Sequence, residues 1–543
     1  MSPFGPDSGA IRARLDAWTA ARYAARLWDK DHTLWSPEPV PELTDRLGWL
    51  TLPDDVRPLL DELAGFAADV RHDAFRHVVL CGMGGSSLAP EVYQRTFGNA
   101  PDHPELIVID STHPGAVRDV RRRVDPARTL FLVSSKSGTT LETMSFFRYF
   151  WAEAVAAVDD PGSRFVAITD PGTPLERLAE ERSFRRVFPA PPDVGGRYSA
   201  FTTFGLVPAA LIGVDLGRLL DAAAGIAAAT RDTTEAGANE ALHLGAALGE
   251  LARAGRDKAT FVTSDSLAAF PAWIEQLIAE STGKDGAGIV PVAGEPLGPP
   301  TVYGNDRVFI YLGVDGDDRD ADLAALAGLE AAGHPVLRYS LDDRYDLGRE
   351  IFRLETATAA AGSVLGIHPF NQPDVQIAKE LAKKAMAGEE AAGEIREYAI
   401  ADEYPLATAI STWLGSITTG DYVGIQAYLA PTEAAHDAIE RIRVSLRDRF
   451  RVATTTGWGP RFLHSTGQLH KGGPGSGIFL QLVDSAAPDL PVPETDYSFG
   501  RLIAAQAAGD YGALRSRNRR VLRIDIGDDP DAGLGTVAAA LGV

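Results

Sequence analysis

Cysteine, long apolar runs and positive charge are all scarce in this chain, and each shortage removes a class of protein. Its one cysteine, Cys81, stands alone among 543 residues, which excludes an internal disulfide framework and a cysteine-rich zinc or iron–sulfur site. A reducing compartment fits that usage. No uninterrupted apolar run approaches the ~18 residues of a membrane span, and Arg and Asp interrupt the opening MSPFGPDSGAIRARLDAWTAARYAARLWDK every few residues, so no signal-peptide h-region is present. The expectation is a soluble, cytoplasmic protein with no membrane partner. Basic side chains number 52 against 74 acidic ones, and the resulting net charge of -22 repels a phosphodiester backbone, which argues against nucleic acid as a partner. The 11 histidines include no HExxH and no close pair backed by carboxylates, so neither a metal nor a cofactor is expected.

What remains is ordinary globular composition, 45% hydrophobic and 23% charged. At roughly 150 residues per domain the length suggests about three to four domain equivalents. Residues 10–75 recur at helical spacing through Leu15, Trp18, Tyr23, Leu27, Leu59, Leu63 and Phe66. From His77 the texture changes: VVLC (78–81), LIVID (106–110), FLVSS (131–135) and FVAITD (165–170) each stop at a polar or glycine-bearing loop, with helical stretches between. Short continuous apolar strands of this kind predict a buried parallel sheet in a doubly wound α/β fold. A second set follows an Ala-rich helical stretch, with TFVTS (260–264), VFIYLGV (308–314) and PVLRYSL (335–341). The acidic segment 387–399 is the most linker-like in the chain, or else a solvated helix face. Beyond it, strands at 421–429, 451–456, 477–483 and 521–527 either extend the second sheet or make a third. The expected division is an N-terminal helical segment 1–76, a first α/β domain 77–255, a second 256–386, and a C-terminal α/β extension 387–543 packing on the second.

Three segments carry chemistry. Gly82, Met83, Gly84, Gly85, Ser86 and Ser87 lie between a strand and a helix, where bare backbone N–H groups suit an anion. As a dinucleotide fingerprint the run fails, with Ser87 at the third glycine. Ser134, Ser135, Lys136, Ser137, Gly138, Thr139 and Thr140 repeat the placement with five hydroxyls and a lysine, more than the single residue an N-cap requires, which favours a phosphate. In DVGGRYSAFTTFG, Gly195 and Gly196 bring Arg197 toward the same crevice, where a fixed guanidinium can stabilise developing negative charge.

With these segments on the page, and with WIEQLIAESTGKDG and FNQPDVQIAK following in the same order, the chain resembles the phosphoglucose isomerases, built from two sugar-isomerase (SIS) domains. Its C-terminal RFLHSTGQLHKGGP looks most like the isomerase half of transaldolase–isomerase fusion proteins. The resemblance implies metal-independent interconversion of glucose 6-phosphate and fructose 6-phosphate through a cis-enediol, in glycolysis and gluconeogenesis, and a homodimer. It implies that Ser86, Ser135, Ser137 and Thr140, with the backbone around Lys136 and with Gly84, Gly85 and Thr139, hold the sugar phosphate. Glu280 takes the position of the family's base and Gln276 lies one helical turn before it; Arg197 faces the enediolate. Lys379 stands near the ring oxygen, Gln372 binds substrate, and Glu142 orients a catalytic histidine. That histidine matches His464, although in the common form of the family it precedes the lysine segment, and its donation from the neighbouring subunit is open with it. His470 and His368 remain alternatives. FNQPDVQ also places Asn371, Asp374 and Gln376 where Asp, Gly and Glu are typical. Two other readings stay open, an isomerase of another anionic hexose such as a mannose phosphate or sulfonated sugar, and a non-catalytic sugar-phosphate sensor.

Overall fold

A computed structural model describes residues 8–386 and 395–543. Helices Ser8–Ala20, Tyr23–Trp28 and Leu60–His72 open the described chain. Their apolar faces join one core with the buried helices Glu240–Arg253 and Leu347–Leu365.

The first sheet takes His77–Cys81 (β1), Glu105–Ile109 (β2), Thr129–Ser134 (β3), Phe165–Thr169 (β4) and Arg186–Pro189 (β5) in the order β2-β1-β3-β4-β5, all parallel. Strand β3 is buried along its whole length, as a strand covered by helices on both faces must be, which is why its sequence is continuous rather than alternating. The chain leaves β1 for β2 on one side and returns to β3 on the other. That reversal opens a crevice at the carboxyl ends of β1 and β3, where the glycine loop and the hydroxyl loop emerge.

Lys258–Thr263 (β6), Val290–Ala293 (β7), Arg307–Val314 (β8) and Val336–Leu341 (β9) form a second parallel sheet, ordered β7-β6-β8-β9. The C-terminal strands make a third sheet of their own rather than extending the second. Glu397–Ala399 (β10), Tyr422–Tyr428 (β11), Ala453–Trp458 (β12), Gly477–Val483 (β13) and Arg520–Asp525 (β14) run parallel in the order β10-β14-β13-β11-β12. Most of the linker-like segment, residues 387–394, lies outside the described residues.

The third sheet touches both others. Tyr422, Ala453 and Phe479 pack with Val290 and Val292 of the second sheet. Phe499, which begins helix Phe499–Ser516, stacks on Phe146 against the first sheet, 6.0 Å between ring centroids. The His113 ring, after β2, meets Asp484, after β13, at 3.2 Å. Among the described residues no helix is long and apolar enough to cross a membrane.

Candidate active site

Glycine at positions 84 and 85 is a packing requirement. Gly84 has φ +55°, and a Cβ there would stand 2.8 Å from the His464 carbonyl oxygen and 2.9 Å from the Gln276 amide nitrogen. At Gly85 a Cβ would fall 2.0 Å from the Gly196 carbonyl oxygen. The loop after β1 thus lets the backbones of the Arg197 and His464 turns and the Gln276 side chain approach it closely. Ser86 is buried, and its carbonyl accepts the Ser134 hydroxyl at 3.2 Å.

The loop after β3 leads into helix Leu141–Ala157. Thr140 occupies the N-cap, yet its side chain makes no capping bond. Instead its hydroxyl pairs with Ser135 at 2.9 Å, while Ser137 pairs with Thr139 at 3.0 Å. The helix N-terminus, without a side-chain cap from Thr140, therefore turns its partial positive charge toward a rim of hydroxyls, an arrangement suited to a phosphate dianion. Lys136 does not join them: its ammonium pairs with Asp170 at 2.6 Å and reaches the Pro192 carbonyl, on another side of the loop.

Ser137, Thr139, Thr140 and Glu142 line a cleft of about 580 Å³, together with Lys379 and His464 from the far end of the chain. His464 Nε2 and Glu142 Oε1 are 3.0 Å apart. The same carboxylate oxygen accepts the Gln506 amide at 2.8 Å, and Gln506 Oε1 accepts the Thr112 hydroxyl at 2.7 Å. Burial pushes the Glu142 carboxyl up, but the charge and hydrogen bond of His464, the residue's own backbone N–H and the charge of Lys379 outweigh it, leaving the group below the ordinary carboxylate range. Glu142 is therefore a carboxylate at neutral pH, fit to fix one tautomer of the imidazole. Lys379 itself is exposed on helix Val375–Met386.

Across the glycine loop, Gln276 donates to the His464 carbonyl at 2.8 Å and to Glu280 Oε2 at 3.2 Å. One turn of helix Phe270–Thr282 separates these two side chains, so a single amide ties the histidine's backbone to the candidate base. Glu280 Oε1 lies 3.6 Å from Arg197 Nη1. Arg197 is 2% exposed and spends its fork on this corner: Nε donates to Ser281, Nη1 to Gln372 Oε1 at 2.9 Å, and Nη2 to the Pro369 and Asn371 carbonyls. Lys284 adds bonds to the carbonyls of His368 and Asn371 and to the Asn371 side chain, and burial holds its ammonium well below the ordinary lysine value. The Gln372 loop is thus gripped by two buried basic side chains, Arg197 and Lys284.

Asp374, in place of the usual glycine, accepts the Gln468 amide at 2.8 Å, while its own N–H donates to Gln468 Oε1 and Arg517 pairs with its other oxygen. The departure from the family pattern therefore ties the lysine segment to the histidine segment. The two alternative histidines are engaged elsewhere. His368 faces the Pro41 carbonyl at 3.1 Å, and His470 meets Gln426, with burial holding its imidazole well below the ordinary histidine value. Ser281, Lys284 and Gln468 lie within the segments that carry the resemblance but have no role from it, and Gln506 lies in no such segment; their parts at the site come from contacts distant in the chain.

A profile described as phosphoglucose isomerase matches residues 56–291, a span that holds both loops, Arg197, Gln276 and Glu280. A glucose-6-phosphate isomerase of Rubrobacter xylanophilus is 31% identical over 395 residues, covering 63% of this chain and 90% of that protein. One from Thermus thermophilus is 28% identical over 385 residues, covering 63% and 90%. Among solved structures, a hypothetical protein of Thermus thermophilus superimposes with a TM-score of 0.60 at 26% identity, covering 70% of this chain and 98% of that one. A glucose-6-phosphate isomerase from Chlamydia trachomatis shares the fold with a TM-score of 0.54 at 21% identity, covering 73% and 81%. With its glycine and hydroxyl loops at one crevice, and with Arg197 and Glu280 held across it, the chain belongs to the phosphoglucose isomerase family.

Proposed function

We propose that this chain interconverts glucose 6-phosphate and fructose 6-phosphate through a cis-enediolate, without a metal or organic cofactor. One observation carries the reading. A continuous set of contacts runs from the Thr112–Gln506 pair through Glu142 and His464 to Gln276, Glu280, Arg197 and Gln372. Along it stand an imidazole paired with a carboxylate, a second carboxylate and a fixed guanidinium, groups that an aldose–ketose exchange requires, and this supports the reading.

In this reading the phosphate sits on the hydroxyls of Ser135, Ser137, Thr139 and Thr140 and the N-terminus of helix Leu141–Ala157, with the 84–86 loop beside it. The backbone at Lys136 contributes and its side chain does not. His464, held by Glu142, donates a proton to the ring oxygen as the C1–O5 bond breaks, Lys379 as the base of the pair takes the C1 hydroxyl proton, and the pyranose opens to the aldehyde. Glu280 takes the C2 proton and returns it to C1. The negative charge that develops on the enediolate lies toward Arg197, whose guanidinium is already fixed and needs no reorganisation during the reaction. Gln372 binds a sugar hydroxyl from the loop that Arg197 grips.

In this reading every group comes from one chain, which the contacts of His464 with Glu142 and Gln276 of the same chain support. Mixing Glu280→Gln with His464→Ala protein in equal amounts should restore no activity; recovery toward about a quarter of wild type, the share of intact sites in randomly mixed dimers, would mean that subunits exchange the histidine. The function itself is tested by a coupled assay with glucose 6-phosphate in excess chelator. Turnover there, with inorganic phosphate competing, supports the reading. Absence of turnover on this sugar alongside turnover of mannose 6-phosphate would assign the site to another hexose.

A further inference from the structure

The turn that carries His464 has a second face. Leu463 and His464 line the candidate active cleft, whereas Arg461, Phe462 and Ser465 line another of about 570 Å³. In that second cleft the Arg461 guanidinium pairs with Glu91 of helix Leu88–Phe97 and, at 3.1 Å, with Asp110 at the end of β2. Glu275, the residue before Gln276, accepts the Ser465 hydroxyl at 3.4 Å and lies in the field of Arg461 and Arg443. The backbone of the turn makes only short local bonds, Leu463 N–H to Pro460 and Ser465 N–H to Phe462. Its place is fixed by ties to other elements: the Gln276 amide on the His464 carbonyl, Glu275 on the Ser465 hydroxyl, Glu142 on the His464 ring, and the Arg461 fork on Glu91 and Asp110.

Burial pushes Asp110 up to about 6 and Glu275 up to about 7, in each case against the pull of Arg461. Three carboxyl groups thus share one guanidinium, itself about a quarter exposed, and a planar fork that bonds two of them from different elements cannot be replaced by a point charge without loss of direction. We propose that Arg461 is a positioning residue for ring opening: clamped between Glu91 and Asp110, it fixes the turn so that His464 meets Glu142 in the neighbouring cleft. The inference rests on the reading of His464 as the ring-opening acid.

Arg461→Met should lower kcat on cyclic glucose 6-phosphate by roughly tenfold to a hundredfold, the order that misplacing a catalytic group costs, with KM changed less than about threefold. Arg461→Lys should recover part of the loss. The effect should vanish in a His464→Ala background, where adding Arg461→Met changes kcat by less than about twofold. A structural reporter separates this from the ring-opening reading: the hydrogen-bonded imidazole N–H proton of His464, identified in proton NMR by its absence in His464→Ala, should be lost to exchange in Arg461→Met. If His464→Ala turned over at the wild-type rate, the ring-opening reading would fail and the proton signal alone would judge Arg461. The positioning role is overturned if Arg461→Met keeps both the signal and kcat, or if its kinetic loss multiplies that of His464→Ala. Should Arg461→Met not fold, Arg461→Lys and Glu91→Gln carry the same readouts.

Discussion

The two halves of the candidate site are held in different ways. On the proton-transfer side, Arg197 is buried and donates to Ser281, Gln372 and two backbone carbonyls, and Glu280 leans on both Arg197 and Gln276. On the ring-opening side the hydroxyls of Ser137 and Thr139 are exposed, Lys379 is exposed on helix Val375–Met386, and the histidine arrives on a turn from a different sheet. The difference follows the chemistry. Transfer of a carbon-bound proton depends on electrostatic preorganisation and is intolerant of movement, whereas a phosphate and a cyclic sugar must first enter, so the groups that meet them stay at a rim.

If that division is right, removing the groups that move protons, Glu280 and His464, should cost catalysis, and removing the exposed hydroxyls of the rim should cost binding. The largest effect belongs to Glu280→Gln, expected to lower kcat by roughly a hundredfold to ten-thousandfold with KM little changed, measured by coupled assay. Next comes His464→Ala, expected to cut turnover of cyclic glucose 6-phosphate by roughly a hundredfold or more while an open-chain phosphorylated sugar acid binds nearly as before. A fall in melting temperature with kcat preserved would make His464 structural. Ser137→Ala with Thr140→Ala should raise KM by roughly tenfold and weaken competition by inorganic phosphate, since an overall charge of -22 repels a dianion wherever the loop does not reverse the field. Unchanged KM would move the anion site elsewhere.

The smallest expected effect is on stability. Burial raises Glu275 from 4.5 to about 7, so the native state holds a proton that the unfolded chain releases. Its contribution to stability is present below the unfolded value and lost as pH rises toward about 7. Glu275→Gln should therefore gain in melting temperature relative to wild type between pH 5 and pH 8, by a few degrees. A pH-independent difference would contradict the shift.

Much of the fold was legible because a buried parallel strand is a run of apolar residues that stops at a loop, as VVLC, FLVSS and FVAITD do. Strands β5, β7 and β10 were not. Arg186–Pro189 and Val290–Ala293 are four-residue edge strands that each contain proline, which edges tolerate and sequence patterns count against a strand; β10 has three residues. The separateness of the third sheet was equally hidden, since periodicity gives strands and not their neighbours. At the site, glycines and hydroxyls clustered after strands could be read locally, and the resemblance named Glu280, His464 and Lys379. Gln506 and Arg461 could not be found that way, because their partners Glu142 and Glu91 are 364 and 370 residues away in the chain. The Lys136 side chain illustrates the opposite error: a lysine inside a phosphate-like loop whose charge is spent on Asp170.

The central claim, that Glu280 moves a proton between C2 and C1 of a sugar phosphate beside Arg197, is tested most directly with glucose 6-phosphate deuterated at C2. During wild-type turnover the label should appear partly at C1 of fructose 6-phosphate and partly in solvent, and both transfer and exchange should fall by about a hundredfold or more in Glu280→Gln. Isomerisation with the label carried wholly to C1 and none released to solvent, as a hydride shift gives, or a variant within about threefold of wild type, would contradict the account.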